Sequence, residues 1–391
     1  MTPSGPAPRM TTIEMLARLV SFDTTSRNSN LPLIDFVRSY LDGHGVAYRI
    51  STDPQGRRAN IHAIIGPPTA GGIALSGHVD TVPVDGQAWT GDPFALRRHA
   101  GRATGRGTTD MKGFVACCLA AVPDLLARPL ARPIHLFITY DEEVLMDGAV
   151  RLVADLEASG LRPAMCIVGE PTLMQPVLAH KGRLAARVTV RGLTGHSSVP
   201  ARGVNAVQAG AEAVAWLAAE ARRRAMAGPF AEGFEPPHTS IHVGTFAGGT
   251  ILNIIPEHAA FDLEYRVIPG DDAEAELARL QAHVAAAIEP AMHAVAPASG
   301  FSFEVVNWCP PMSLDADHAL VGLVKAITGA NATGRVSYGT EGGIFQAAGI
   351  ATLVCGPGEI AQAHQPDEWI AEAQLAACDG FVRRLADRLV A

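Results

Sequence analysis

Ile73-Ala74-Leu75-Ser76-Gly77-His78-Val79-Asp80 is an apolar run that ends in a histidine and an aspartate. The same pattern returns along the chain. Ile134-His135-Leu136-Phe137-Ile138-Thr139-Tyr140 leads into Asp141-Glu142-Glu143, and Met165-Cys166-Ile167-Val168-Gly169 leads into Glu170. Asp110 lies in Gly105-Arg106-Gly107-Thr108-Thr109-Asp110-Met111-Lys112-Gly113, and a second histidine in Ala363-His364-Gln365-Pro366-Asp367-Glu368. A single acid after a strand is ordinarily a solvated loop residue. A series of them with two histidines is a different matter, because strand ends form a rigid floor from which carboxylates and imidazoles can converge on metal ions. The pattern therefore predicts a two-metal hydrolase built on an α/β sheet.

The rest of the chain is compatible with that reading. At 391 residues it exceeds one comfortable core, so two domains are expected. A hydrophobic share of 48% with 18% charged residues describes a globular protein. A net charge of −8 argues against a nucleic-acid partner, which needs a basic stripe. The six cysteines, at 117, 118, 166, 309, 355 and 378, contain no Cys-x-x-Cys and point to a reducing cytoplasm. Met1–Met10 shows no apolar signal core, and no stretch is long enough to span a bilayer.

Thr11-Thr12-Ile13-Glu14 is a capping-box pattern that predicts a helix to about Val20, with another at Leu31–Leu41. From Ile61 to Val168 short apolar strands alternate with helical segments at Gly113–Leu126 and Gly148–Ala158, the rhythm of a sheet with parallel strands. Beyond Lys181-Gly182 the pattern changes. Leu184, Ala186, Val188 and Val190 alternate as one face of a strand. A helix at about Val204–Arg224, strands at Thr239–Phe246 and Ala260–Val267, a helix at Asp271–Ile288 and a strand at Phe301–Trp308 complete a βαββαβ order. This ferredoxin-like module is expected to be an insertion at 183–311, with 1–182 and 312–391 forming the first domain.

These motifs, in this order from about Met15 to the C-terminus, resemble the metal-dependent amidohydrolase family of acetylornithine deacetylase, succinyl-diaminopimelate desuccinylase and glutamate carboxypeptidase. The resemblance implies a zinc-exopeptidase-like catalytic domain with a mixed sheet and an inserted lid that dimerises. It implies two divalent cations, zinc first and cobalt second, with His78 and Glu170 on one, Glu143 and His364 on the other, and Asp110 bridging. Asp80 resembles the acid that orients His78 by accepting its other ring proton. Glu142 resembles the general base; neighbouring residues after a strand cannot both face one metal, so Glu143 binds and Glu142 faces the attacking water. His196 in Thr194-Gly195-His196-Ser197-Ser198 matches a lid histidine that reaches the partner subunit's site and stabilises the oxyanion. Asn253 and Arg266 match an α-carboxylate clamp, for which the planar guanidinium fork is suited. Lys181 is a further substrate-binding candidate.

Tyr338-Gly339-Thr340-Glu341-Gly342-Gly343 and the His364 segment look closest to the acetylornithine deacetylase branch. Thr340 and Glu341 are thereby expected at the substrate, Glu341 facing the cationic side chain of ornithine. The expected reaction is hydrolysis of N2-acetyl-L-ornithine to L-ornithine and acetate, as in arginine biosynthesis. Other N-acyl-amino-acid amidohydrolases, the desuccinylase and a dipeptidase or carboxypeptidase share the scaffold. A metal-binding module without turnover is the reading from another class, and an intact Glu142 speaks against it.

Overall fold

The computed structural model describes residues 8–390. Residues 1–7, most of the stretch read for a signal core, lie outside the described residues. Among the described residues no helix is long and apolar enough to cross a membrane. The chain divides into two compact units. One runs to Ala179 and resumes at Met312–Gly334 and from Thr340; the other holds His180–Pro311 and Arg335–Gly339.

The first unit is built on a nine-stranded mixed sheet. Its centre is four parallel strands, Ile134–Thr139, Ile73–His78, Met165–Pro171 and Ala351–Gly356, in that spatial order. Ala59–Ile65 joins the first of these antiparallel, and Ala47–Thr52 pairs antiparallel outside it. Every residue of Ile73–His78 and of Ile134–Thr139 is buried, which is why they read as continuous apolar runs rather than alternating ones. A parallel sheet covered on both faces gathers its strand ends on one edge, and ligands bind there. Helices Thr12–Val20, Lys112–Ala120 and Glu372–Asp387 bury Met15, Leu16, Phe114, Leu375 and Phe381 in the same core. The Thr11–Glu14 capping box forms as the pattern predicts. The helix expected at Gly113–Leu126 is two helices, Lys112–Ala120 and Val122–Leu126; Pro123, which lacks a backbone N–H, sits in the first turn of the second.

The second unit is a four-stranded antiparallel sheet in the spatial order Ser240–Gly248, His258–Val267, Gly182–Arg191, Gly300–Cys309. Helices Ala206–Ala227 and Ala273–His283 complete the βαββαβ order. Leu184, Ala186, Val188 and Val190 are fully buried while Arg187, Thr189 and Arg191 are exposed, so one face carries the core. Phe261, Leu263, Leu217 and Leu280 fill it from the neighbouring strand and both helices.

Candidate metal centre

The first unit brings the five predicted metal ligands together. His78 is the last residue of its strand, and its Nε2 lies 3.0 Å from Asp110 Oδ1 and 3.5 Å from Glu170 Oε1. Asp110 Oδ2 is 3.2 Å from His364 Nε2, which is 3.0 Å from Glu143 Oε2. Two groups result, His78–Asp110–Glu170 and Asp110–Glu143–His364, with Asp110 common to both. The position before Glu170 admits only glycine, since a Cβ on Gly169 would fall 2.0 Å from the Phe114 ring. Phe114 thus packs flat on the strand backbone that carries Glu170.

Asp80 organises the ends of two strands. Its carboxylate accepts the main-chain N–H groups of Glu142 at 3.1 Å and Glu143 at 3.3 Å, and the Ser26 hydroxyl at 2.7 Å. The atom nearest His78 Nδ1 is the main-chain oxygen of Asp80 at 3.0 Å, with the carboxylate at 3.5 Å. Asp80 therefore orients the His78 ring through its backbone as much as through its side chain, and it also sets the Glu142–Glu143 turn. Arg58 completes this support by bonding Asp141 at 3.0 Å and the Ser26 carbonyl.

Burial and mutual repulsion dominate the electrostatics. Burial, then the charges of Glu170, Glu143 and Asp110, push the Glu142 carboxyl well above the usual carboxylate range. Glu143 is pushed up to about 7 by burial and Asp110, and Glu170 is raised by the same two causes. Burial opposes ionisation of Asp110 as well, yet hydrogen bonds from His364 and His78 hold it below the ordinary value. Hydrogen bonds to Asp110 and Glu143 raise His364 to about 10, against its desolvation. Protons on the imidazoles thus sit where the surrounding carboxylates demand positive charge. Three ligand carboxylates and Glu142 carry four negative charges when ionised, the complement of two divalent cations. Carboxylate oxygens and imidazole nitrogens are also the donors that such ions accept. The residues fit a dinuclear site.

The model for Peptidase family M20/M25/M40 matches residues 74–388. The chain belongs to that family. It is 36% identical over 370 residues to an acetylornithine deacetylase of Yersinia pseudotuberculosis, covering 93% of this chain and 92% of that one. Its fold is similar to that of an M20 family metallo-carboxypeptidase from Sulfolobus solfataricus, with a TM-score of 0.73 at 17% identity over 96% of this chain and 98% of that one. A dinuclear metal-binding M20 peptidase from Bacillus subtilis gives a TM-score of 0.66 at 15% identity over 97% of each chain. The protein is an M20-family metallo-hydrolase whose metal-ligand candidates form two groups sharing Asp110.

Three of the substrate-binding candidates are enclosed and hydrogen-bonded within the protein. Lys181 is buried, and its Nζ donates to the carbonyls of Pro236 at 2.7 Å and His238 at 2.8 Å, so it ties a loop instead of facing a ligand. Thr340 is buried and its hydroxyl accepts the Gly342 N–H, shaping the start of helix Gly342–Ala347. Glu341 is buried against Ser76 and Thr139, and burial pushes its carboxyl up to about 7. The depth of these three residues is set by distant strands, which a local motif does not contain.

His196, Asn253 and Arg266 belong to the second unit. His196 is exposed on the short strand Gly195–His196, where its Nδ1 accepts from the Ser198 main chain and faces the Ser198 hydroxyl at 2.7 Å. Asn253 is exposed beside Leu252, which is 98% accessible. Arg266 is half-buried and bonded to Glu264 through both Nε and Nη2. Sequence reasoning also passed over Ser26, Arg58, Gln87, Arg106 and Glu368. The last two stand inside quoted motifs, but their partners are far away along the chain.

Proposed function

We propose that the protein hydrolyses the amide bond of an N-acyl amino acid, with N2-acetyl-L-ornithine as the preferred substrate. The observation that carries this reading is the pair of ligand groups that share Asp110, with Glu142 next to Glu143 in the turn that Asp80 fixes. Similarity to acetylornithine deacetylases over nearly the whole chain supports the choice of substrate. Zinc is the proposed metal, with cobalt able to use the same donors.

When bound, the two cations would polarise the scissile carbonyl and acidify the attacking water. His78, Asp110 and Glu170 would hold one, and Asp110, Glu143 and His364 the other. Glu142 takes the proton of the water as its oxygen adds to the carbonyl carbon. The same carboxyl, protonated by that step, then delivers the proton to the nitrogen as the C–N bond breaks. Acetate and a free amine leave. His196 is proposed to donate to the oxyanion from the lid of a second copy, and Asn253 and Arg266 to hold the α-carboxylate. For Arg266 this requires the substrate carboxylate to share the guanidinium with Glu264 or displace it. The free, buried state of all six cysteines agrees with a cytoplasmic setting.

Zinc-loaded protein should be assayed with N-acetylornithine, N-acetylmethionine, N-succinyl-diaminopimelate and a dipeptide. The highest kcat/KM should fall on N-acetylornithine; a preference of tenfold or so for any of the others would replace the substrate named here.

A further inference from the structure

We propose that Arg106 and Glu368 form a buried brace that positions Asp110 and His364 for the second metal ion without ligating it. The proposal rests on the two-metal reading of the cluster and is independent of which amide is cleaved. Both side chains are 1% exposed and meet at 2.8 Å. The Glu368 carboxylate accepts four hydrogen bonds, all from the loop that ends in Asp110. They come from Arg106 Nη1 at 2.8 Å and from the main-chain N–H groups of Gly107 at 3.0 Å, Thr109 at 2.8 Å and Asp110 at 3.1 Å. Its main-chain oxygen accepts Gly105 N–H at 2.9 Å. The loop carrying the shared aspartate is thus moulded on one residue.

Arg106 carries the connection onward. Its Nη1 also reaches the Gln365 carbonyl at 3.3 Å, its Nη2 bonds Gln87 Oε1, and its guanidinium stacks 5.0 Å over Trp89. Gln87 Nε2 in turn donates to the main-chain oxygen of His364 at 2.9 Å. These ties matter because His364 has a left-handed backbone (φ 64°) and a side chain that is 52% exposed. A non-glycine residue in that conformation keeps its place only where neighbours hold the chain. From Asp110 to Glu368, Arg106, Gln87 and His364 the contacts are continuous, and they join two of the three residues in the Asp110–Glu143–His364 group.

A buried ion pair is a poor device for stability alone, since apolar residues of like volume often do as well. Apolar residues, however, could not accept three main-chain N–H groups and bond Gln87 at the same time. The pair's use is therefore to specify position.

The test is metal affinity, not only activity. Stripped full-length protein is titrated with Zn2+ against a competing chelator, and with Co2+ by its visible spectrum. The variants are Glu368→Gln and Gln87→Ala, with His364→Ala marking which ion belongs to which group. Glu368→Gln keeps an acceptor for Thr109 and Asp110 but turns an amide toward Gly107 N–H and Arg106. It should weaken the ion of the His364 group about 10–100-fold, the usual range for supporting partners of ligands. Gln87→Ala, at a half-exposed position that leaves the core untouched, should weaken the same ion about tenfold and leave the His78–Asp110–Glu170 ion unchanged. Gln87→Ala carries the test by itself if Glu368→Gln does not fold. Wild-type affinities for both ions in the variants would overturn the brace, as would equal weakening of both ions with a lowered Tm, the mark of a purely structural pair. A wild-type chain that takes up fewer than two equivalents of Zn2+ would overturn the two-metal reading, and the brace with it.

Discussion

The candidate site residues of the two units are placed differently. In the first, His78, Asp80 and Glu170 at strand ends and Asp110 in a turn are buried, and each contacts at least one of the others. In the second, His196 and Asn253 stand exposed, and Arg266 is occupied by a neighbour on its own strand. The contrast follows from what each job requires. Holding ions calls for charged groups already in place, because the cost of gathering them is then met by folding rather than by binding. Handling a substrate calls for side chains still free to meet it.

The largest effect should come from Glu142, whose proposed task is chemical. Glu142→Gln should bind two ions yet lose about 10²–10⁴-fold in kcat, the range of general acid–base catalysis. Near-normal turnover in that variant would remove Glu142 from the mechanism. His196 tests the other side of the contrast. His196→Ala should lower kcat by about 10²–10³-fold with metal content unchanged, since it removes one oxyanion donor. Mixing it with Glu142→Gln sharpens the comparison. A site shared between copies restores some activity in heterodimers, whereas no recovery after confirmed exchange would assign His196 to its own chain or to no catalytic role.

Metal-linked stability separates the units further. At Zn2+ concentrations of 100–1,000 times Kd, the wild-type protein should gain about 3–4 kcal/mol against unfolding, and Asp110→Ala should gain less. Equal gains in both would contradict a bridging role for Asp110.

A smaller effect lies toward the opposite end of the same sheet. His62 Nε2 and His135 Nδ1 meet at 2.8 Å, and His135 Nε2 faces the Gly71 carbonyl at 2.9 Å, which accepts its proton. Burial, and then the neighbouring His135, push His62 down to about 3. Its folded value is below the unfolded one, about 6.5, so the unfolded chain binds more protons between the two. Stability is therefore lost as pH falls through 6.5 toward 3. Each pH unit in that window costs about 1.4 kcal/mol from this residue. The double variant His62→Leu, His135→Leu should show a shallower fall in denaturation midpoint between pH 6.5 and 5. An unchanged slope would mean that the pair is protonated without penalty.

Local pattern made the centre legible to an unusual degree. Continuous apolar runs before His78, Glu142 and Glu170 marked buried parallel strands, and alternation at Leu184–Val190 marked a half-covered one. Each follows from the period of its own segment and the water it must avoid. The burial of Lys181, Thr340 and Glu341 was not legible, because a motif states residue type and order but not depth. Their side chains are enclosed by strands and loops that the motif does not contain.

The sequence by itself determined which residues could ligate metal, which strands would present them, and the order of the inserted module, because those depend on side-chain chemistry and short-range periodicity. Only the tertiary structure decided that Asp110 lies between two histidines, that Asp80 secures the Glu142–Glu143 turn, and that Glu368 and Arg106 lock the Asp110 loop to the His364 loop. Those contacts join residues 32 to 262 positions apart. They exist only once the core closes around them, where burial makes each hydrogen bond obligatory and each unpaired charge costly.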